Sequence, residues 1–311
     1  MTNFRIRKSH ALIVMLIAIA FFMFSIPKLA EAFEMYGQRK NFKLSVSAIR
    51  QFDTNLDEGG DFNVNRYLFQ LGWDKRISDT LNAGISFNYD LHDYFFSNPA
   101  ALEYLTKLKN LQSFGLGTRI MYKINEDWRL IVIPSIEASK ESDADLEDSL
   151  IYGGIFSAGY RVSPDLMIGT GFGIFSRLEE VSYFPIVFIN WEITDRLRLS
   201  NPFSGGPTSP AGLELSYTFN KSWEIACGCG YRSYRFRLKD EGVASNGILQ
   251  EKAVPVWGRI TLRSGSLVKV DLNTGALLLG KLKIEDQDGH EIDEDQYDAA
   301  PFIALTVSLM F

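Results

Sequence analysis

The stretch "YKINEDW" (122–128) decides the fold, because versions of it recur along the chain. The others are "KRISDTL" (75–81), "YRVSPDL" (160–166), "WEITDRL" (191–197), "YTFNKSW" (217–223) and "TLRSGSL" (261–267). The fourth position is always Ser, Asn or Thr: Ser78, Asn125, Ser163, Thr194, Asn220 and Ser264. The seventh is always Leu or Trp: Leu81, Trp128, Leu166, Leu197, Trp223 and Leu267. The third is apolar in every copy but one, where Arg263 stands. A short polar side chain at a turn bonds back to the backbone, so each phrase predicts a tight hairpin turn between two strands.

The phrases are unevenly spaced because longer connections join the opposite strand ends. Those connections are predicted near 53–63, 92–111, 140–148, 178–180, 204–209, 239–250 and 285–299. Counting the strands between gives 14, with both chain ends on the short-turn side. The count falls to 12 if the segments around 197–215 are not a strand pair. An even number of antiparallel strands, short turns at one end and long loops at the other is the design of an outer-membrane barrel.

Working outward from the turns, the strands alternate with period two. Leu81, Ala83, Ile85, Phe87, Tyr89 and Leu91 interleave with Asn82, Gly84, Ser86, Asn88 and Asp90. The same pattern runs through 113–122 and 268–273. One face is therefore apolar and one wet. The wet face carries Arg66, Asp74, Asp90, Arg119, Arg129, Glu137, Arg177, Glu192, Glu214, Arg259, Lys269 and Asp271. A slip of phase near "YRSYRFRLK" (231–239) predicts a bulge at Arg232, beyond which Arg235 and Arg237 join that face.

Alternation alone does not separate a soluble sandwich from a membrane barrel. Aromatic placement does. Trp73, Trp128, Trp191 and Trp223 flank the tight turns, joined by Tyr122, Tyr160 and Tyr217. A ring of Trp and Tyr at one level is the girdle of a lipid–water interface. The last strand, "IALTVSLMF" (303–311), alternates to its end. In a closed barrel it pairs with "FKLSVSA" (42–48), leaving no edge in the hydrocarbon. Its Leu305, Val307, Leu309 and Phe311 resemble the C-terminal signal that outer-membrane barrels present to their assembly machinery.

Composition agrees with that reading. Arg5, Arg7 and Lys8 precede the apolar run "ALIVMLIAIAFFMFSI" (11–26), then Pro27 and the small-residue pair Ala30 and Ala32. That order predicts a signal peptide over 1–32, a short periplasmic segment over 33–41 and the barrel over 42–311. The chain has 32 basic and 38 acidic residues. Removing Arg5, Arg7, Lys8, Lys28 and Glu31 leaves 28 and 37, a net charge of −9. Such a chain has no basic stripe for nucleic acid, and no second apolar run long enough for a spanning helix.

Over most of its mature length the chain is similar to a poorly characterised family of bacterial outer-membrane porin-like barrels. The resemblance rests on "EITDRLRLSNP" (192–202), "LELSYTFNKSWEIACGCGYRSYRFRL" (213–238) and the repeated turns. It implies a Gram-negative outer membrane and brings no assigned substrate. Compared with 14-stranded fatty-acid transporters, residues 33–41 are too few for a hatch domain.

Two readings of the interior follow. A water-filled pore would filter small hydrophilic solutes by the field of its opposed charges. Alternatively, the same charges pair off, fill the lumen, and leave a structural or surface-binding barrel. Loop 95–113 has Leu102, Leu105 and Leu108 at helical spacing; it either enters the mouth as a constriction or lies over the rim. The acidic loop 285–298 carries Asp286, Asp288, Asp293, Glu294 and Asp295, hard ligands of the kind calcium prefers. Its spacing departs from the EF-hand pattern, so it is read as a solvated loop and no metal is expected. Cys227 and Cys229 sit two apart on a strand, poorly placed for a disulfide, and are read as small lipid-facing residues. His92 and His290 fall in predicted loops without a serine partner, and no phosphate loop or dinucleotide fingerprint appears. No catalysis and no cofactor are expected.

Overall fold

The computed structural model describes residues 41–99, 105, 108, 110–202, 211–241 and 244–311. The predicted signal segment, nearly all of 33–41 and loop 204–209 lie outside the described residues. The strands in chain order are β1 (Phe42–Asn55), β2 (Asp61–Arg76), β3 (Leu81–Ser97), β4 (Leu111–Lys123) and β5 (Trp128–Glu141). There follow β6 (Leu150–Ser163), β7 (Leu166–Arg177), β8 (Val181–Glu192), β9 (Leu197–Ser200), β10 (Gly212–Thr218) and β11 (Trp223–Gly230). The last are β12 (Arg232–Arg237), β13 (Ile248–Ser264), β14 (Val268–Glu285), β15 (Glu291–Tyr297) and β16 (Ala300–Met310).

All sixteen belong to one sheet, in which β12 and β15 continue β11 and β16 at the long-loop end. The remaining fourteen are the staves of a closed antiparallel barrel. Closure comes from β1 against β16, in register from Lys43 opposite Met310 to Gln51 opposite Phe302. Phe42 and Phe311 exchange both backbone hydrogen bonds, at 2.8 and 3.0 Å, and their rings stack 5.7 Å apart. No backbone edge remains at this seam, which is what a strand wall in an apolar solvent requires.

The repeated phrase explains the short-turn end. The Oδ1 of Asn125 accepts from the N–H groups of Asp127 and Trp128, at 3.0 and 2.8 Å. Asn220 does the same for Ser222 and Trp223. Ser78 Oγ accepts from Thr80 and Leu81, and Thr194 Oγ1 from Arg196 and Leu197. Ser163 accepts from Asp165 alone. Ser264 makes no such bond among the described residues; its turn is shaped by Gly265 at φ +59°, a left-handed position that glycine adopts without cost.

The long-loop end is shorter of loop than the sequence implies. β3 runs on to Ser97, so His92 is a fully buried strand residue facing inward, not a loop residue. β15 occupies seven of the fifteen residues of the predicted 285–299 connection. The apolar and wet residues in these segments alternate too irregularly for the strand period to be read from them.

The predicted bulge at Arg232 is a break in the strand. β11 pairs with β10 and β13, but beyond Tyr231 the chain keeps only β13 and turns across the interior. Arg237 there meets Lys140 of β5 in parallel, and Ser139 Oγ donates to Arg235 O at 2.7 Å. At this end β1–β5 and β12–β16 thus close a smaller ring, leaving β6–β10 outside it. Among the described residues β8 pairs with β9 over Asn190–Glu192. Pro185 of β8 stands opposite Phe172 of β7.

Candidate functional site: the barrel interior

Register carries the inward face continuously round the wall, and it holds three different environments. The first is a sealed core at the long-loop end. Glu251 of β13 accepts two hydrogen bonds from Arg66 Nη2, at 2.9 and 2.7 Å, one from Arg232 at 3.1 Å and one from Tyr297 OH at 3.0 Å. Tyr94 OH donates a further short bond to it. Arg66 also donates to Gln51 Oε1 at 2.9 Å. The guanidinium groups of Arg66 and Arg232 lie over the Tyr234 ring, 5.8 and 4.9 Å from its centre. Around this cluster pack Phe62, Leu105, Leu111, Phe236, Leu249, Trp257 and Phe302. Arg66 is 0 % exposed; of the predicted lumen residues it lines no water. Leu105 belongs to this core and Leu108 packs against it, so the described part of loop 95–113 reaches inward. The rest of its predicted helix lies outside the described residues.

The second environment is a charge network towards the short-turn end of β10, β11, β13 and β14. Arg259 Nη2 reaches Glu214 at 2.5 Å and Glu224 at 3.0 Å, and its Nη1 reaches Asp271 at 3.2 Å. Arg263 backs Glu224 at 3.0 Å, Lys269 backs Asp271 at 2.9 Å, and Trp257 Nε1 donates to Glu214 at 2.9 Å. Four predicted residues, Glu214, Arg259, Lys269 and Asp271, thus meet in one cluster.

The third is a wet arc from β2 to β9. Asp74 and Arg119 pair at 2.7 Å with side chains 57 % and 50 % exposed. They bridge over Gly84, which lies between them in register; a Cβ there would stand 2.1 Å from Asp74 Oδ1. Arg129 sits opposite Lys123, and Glu192 opposite Arg198. Further up the wall lie Asp90 and Glu137, with Arg177 donating to Ser233 O at 3.2 Å.

Arg235 and Arg237 belong to none of these. On the far face of β12 they grip the β7–β8 turn, where Leu178 and Glu179 both take positive φ, 45° and 60°. Arg235 binds Leu178 O at 2.9 Å, Glu180 at 3.0 Å and Glu285 at 2.6 Å; Arg237 binds Glu179 at 2.6 Å and Asp148 O at 2.8 Å. Two successive left-handed non-glycine residues are costly, and these bonds hold them in place.

On the outer face, Trp73, Tyr122, Trp128, Tyr160, Trp191, Tyr217 and Trp223 stand next to the tight turns, with the rings of Trp128 and Tyr160 4.9 Å apart. A second aromatic level went unread in the sequence. Phe114 precedes Tyr122, Tyr152 precedes Tyr160 and Tyr183 precedes Trp191 by eight residues, and Tyr231 follows Trp223 by eight. Eight residues at ~3.3 Å each, tilted by about 40°, span roughly 20 Å, near the ~25 Å apolar band of outer-membrane barrels. Cys227 and Cys229 lie between those levels, exposed and unlinked.

Elsewhere, Asp286, Asp288 and His290 bring ligand atoms within 4.8 Å of one another in the exposed β14–β15 loop. Hydrogen bonds from the backbone N–H groups of His290 and Asp288 hold Asp286 below the usual carboxylate range. Those bonds fold the loop on itself, and the cluster needs no ion to account for its shape.

Residues 84–308 match the family described as a domain of unknown function (DUF6268), and the chain belongs to it. No curated protein matches the sequence. Similar solved structures include an outer membrane channel from Pseudomonas putida F1, at 10 % identity and TM-score 0.49, covering 88 % of this chain and 97 % of that one. The translocator domain of autotransporter NalP from Neisseria meningitidis has 10 % identity and TM-score 0.40, covering 94 % and 97 %. The Pseudomonas putida toluene transporter TodX has 9 % identity and TM-score 0.39, covering 88 % and 90 %.

Proposed function

We propose that this chain is a passive outer-membrane channel of a Gram-negative bacterium that admits small hydrophilic solutes past a mixed-charge wall. The observation that carries this reading is the wet arc: Asp74, Arg119, Arg129, Glu192 and Arg198 face inward within a closed cylinder. Fourteen strands lie between the ~8 whose interior side chains fill and the 16–18 that leave an open aqueous channel. β12 and the core around Glu251 then narrow the outer end. In this reading lipid contacts the apolar band between the two aromatic levels, and Leu305, Val307, Leu309 and Phe311 engage the assembly machinery. The 1–32 segment serves as the export signal.

A second reading has one observation in its favour. The fully buried Arg66, His92, Gln51 and Phe62 block much of the long-loop end, as a non-conducting barrel acting through its surface loops would allow. Planar-bilayer recording on the refolded mature chain separates the two. Discrete ohmic openings support the channel; silence from protein with verified insertion supports the second reading. Deleting 97–109 should raise the single-channel conductance if Leu105 and Leu108 narrow the mouth.

A further inference from the structure

The inner faces of β6, β7 and β8 carry a shelf that neither the charged arc nor the core explains. "GTGFG" (169–173) turns Gly169, Gly171 and Gly173 inward, directly opposite Phe188, Ile186 and Phe184 in register. The phenyl rings lie against this bare backbone. A Cβ on Gly169 would meet Phe188 Cζ at 2.0 Å, and one on Gly173 would meet Phe184 Cζ at 2.4 Å. Phe175 stacks on Phe184, centroids 5.9 Å apart and planes 7° off parallel. Phe184 keeps 39 % of its surface exposed although it faces into the barrel. An apolar surface that folding leaves uncovered inside a wall is a place for a ligand's apolar part.

Cations border the shelf on its short-turn side. Arg129, Gly159, Gly169 and Phe188 form one row across four strands. The Phe188 ring extends over Gly159, where a Cβ would stand 2.7 Å away, and so reaches the neighbour of Arg129. Arg198 donates to Asn190 Oδ1 at 2.7 Å, two residues along the inner face of β8 from Phe188. Arg161 is on the same side of β6. Among the described residues none of these three arginines forms an ion pair. Lys123 stands directly opposite Arg129 and is itself tied to Glu126 at 2.8 Å. Like charges facing across a strand pair are destabilising, and an incoming anion removes that penalty.

We propose that this shelf and its arginines form a binding site for small organic anions with an apolar ring or chain, of which an aromatic carboxylate is the simplest. The ring lies on the exposed Phe184, beside the buried Phe188, and the carboxylate takes paired N–H donors from a guanidinium. The site rests on the channel reading, because the solute must reach the lumen.

The test compares benzoate with acetate, which lacks the ring, and benzyl alcohol, which lacks the charge. Each is added to the full mature protein in planar bilayers and read as concentration-dependent current reduction. Benzoate should act at a concentration at least tenfold lower than either. Phe184→Ser and Arg129→Gln should each weaken it tenfold, while Val187→Ser, on the outward face of β8, leaves the benzoate response intact. Equal potency of the three solutes, or an undiminished benzoate effect in Phe184→Ser and Arg129→Gln, overturns the site. A silent bilayer with verified insertion counts against the channel reading instead. Equilibrium dialysis of radiolabelled benzoate against the micellar protein then decides the site. Saturable binding that is lost in Arg129→Gln upholds it, and absence of binding refutes it.

Discussion

Arg259 and Arg129 both face inward, on opposite sides of one barrel, yet they live in different solvents. Arg259 touches three carboxylates and is 8 % exposed. Arg129 faces Lys123 and Gly159 across its neighbouring strands and forms no ion pair among the described residues. Both obey the same alternation. What differs is the register of the adjacent strands, which brings acids to one and bare backbone to the other. Inward charge alone therefore does not distinguish a wall that meets solutes from one whose charges serve each other.

The sharpest way to break this contrast is at Glu251. Glu251→Gln leaves Arg66 and Arg232 as buried cations without their counter-charge, and removing one partner of such a set costs about 3–5 kcal/mol. The urea midpoint for unfolding from detergent micelles should fall accordingly. Glu192→Gln, on the wet arc, should change stability by no more than about 0.5 kcal/mol. Equal losses from the two would erase the distinction between sealed and open interior.

Arg259→Met comes next. It strands Glu214, Glu224 and Asp271 in mutual proximity, although Arg263 and Lys269 still reach two of them. With that partial compensation the loss should be about 2–3 kcal/mol in the same titration, below that of Glu251→Gln. Arg129→Gln should leave stability nearly unchanged or raise it slightly, since it removes a repulsion.

Much of the wall was legible in the sequence, for a physical reason: a closed sheet forces period-two patterning and tight turns to agree. Glu214, Arg259, Lys269 and Asp271 were placed on the wet face by phase alone, and the structure joins them. The core around Glu251 was not legible. In β3 the rings of Tyr94, Phe95 and Phe96 follow one another on both faces, and in β13 the run Ile248–Glu251 is buried throughout, so Tyr94, His92 and Glu251 carry no alternation signal. The shelf on β6–β8 hid for the opposite reason. Phe184 and Phe188 look like lipid-facing residues until the glycines opposite them reveal which side is inward. The departure of β12 left only the slip near Arg232 as its trace in the sequence.

The smallest effects lie at the turns themselves, because one of the six copies of the phrase is built differently from the rest. Beneath β2–β11 the phrase works through a side chain that accepts backbone N–H groups; beneath β13–β14 it works through a left-handed glycine. Asn220→Ala removes the acceptor for Ser222 and Trp223. Those donors sit at an exposed turn where water replaces the lost partner, so the net cost should be about 1 kcal/mol. Ser264→Ala should cost less than about 0.5 kcal/mol, because no backbone donor depends on it. Gly265→Ala restores an effect of about 1 kcal/mol by placing a Cβ at φ +59°. Refolding yields into micelles and urea midpoints for these three variants would measure the order. If Ser264→Ala matched Asn220→Ala, the sixth copy of the phrase would be working through its side chain like the others, and Gly265 would not be what shapes that turn.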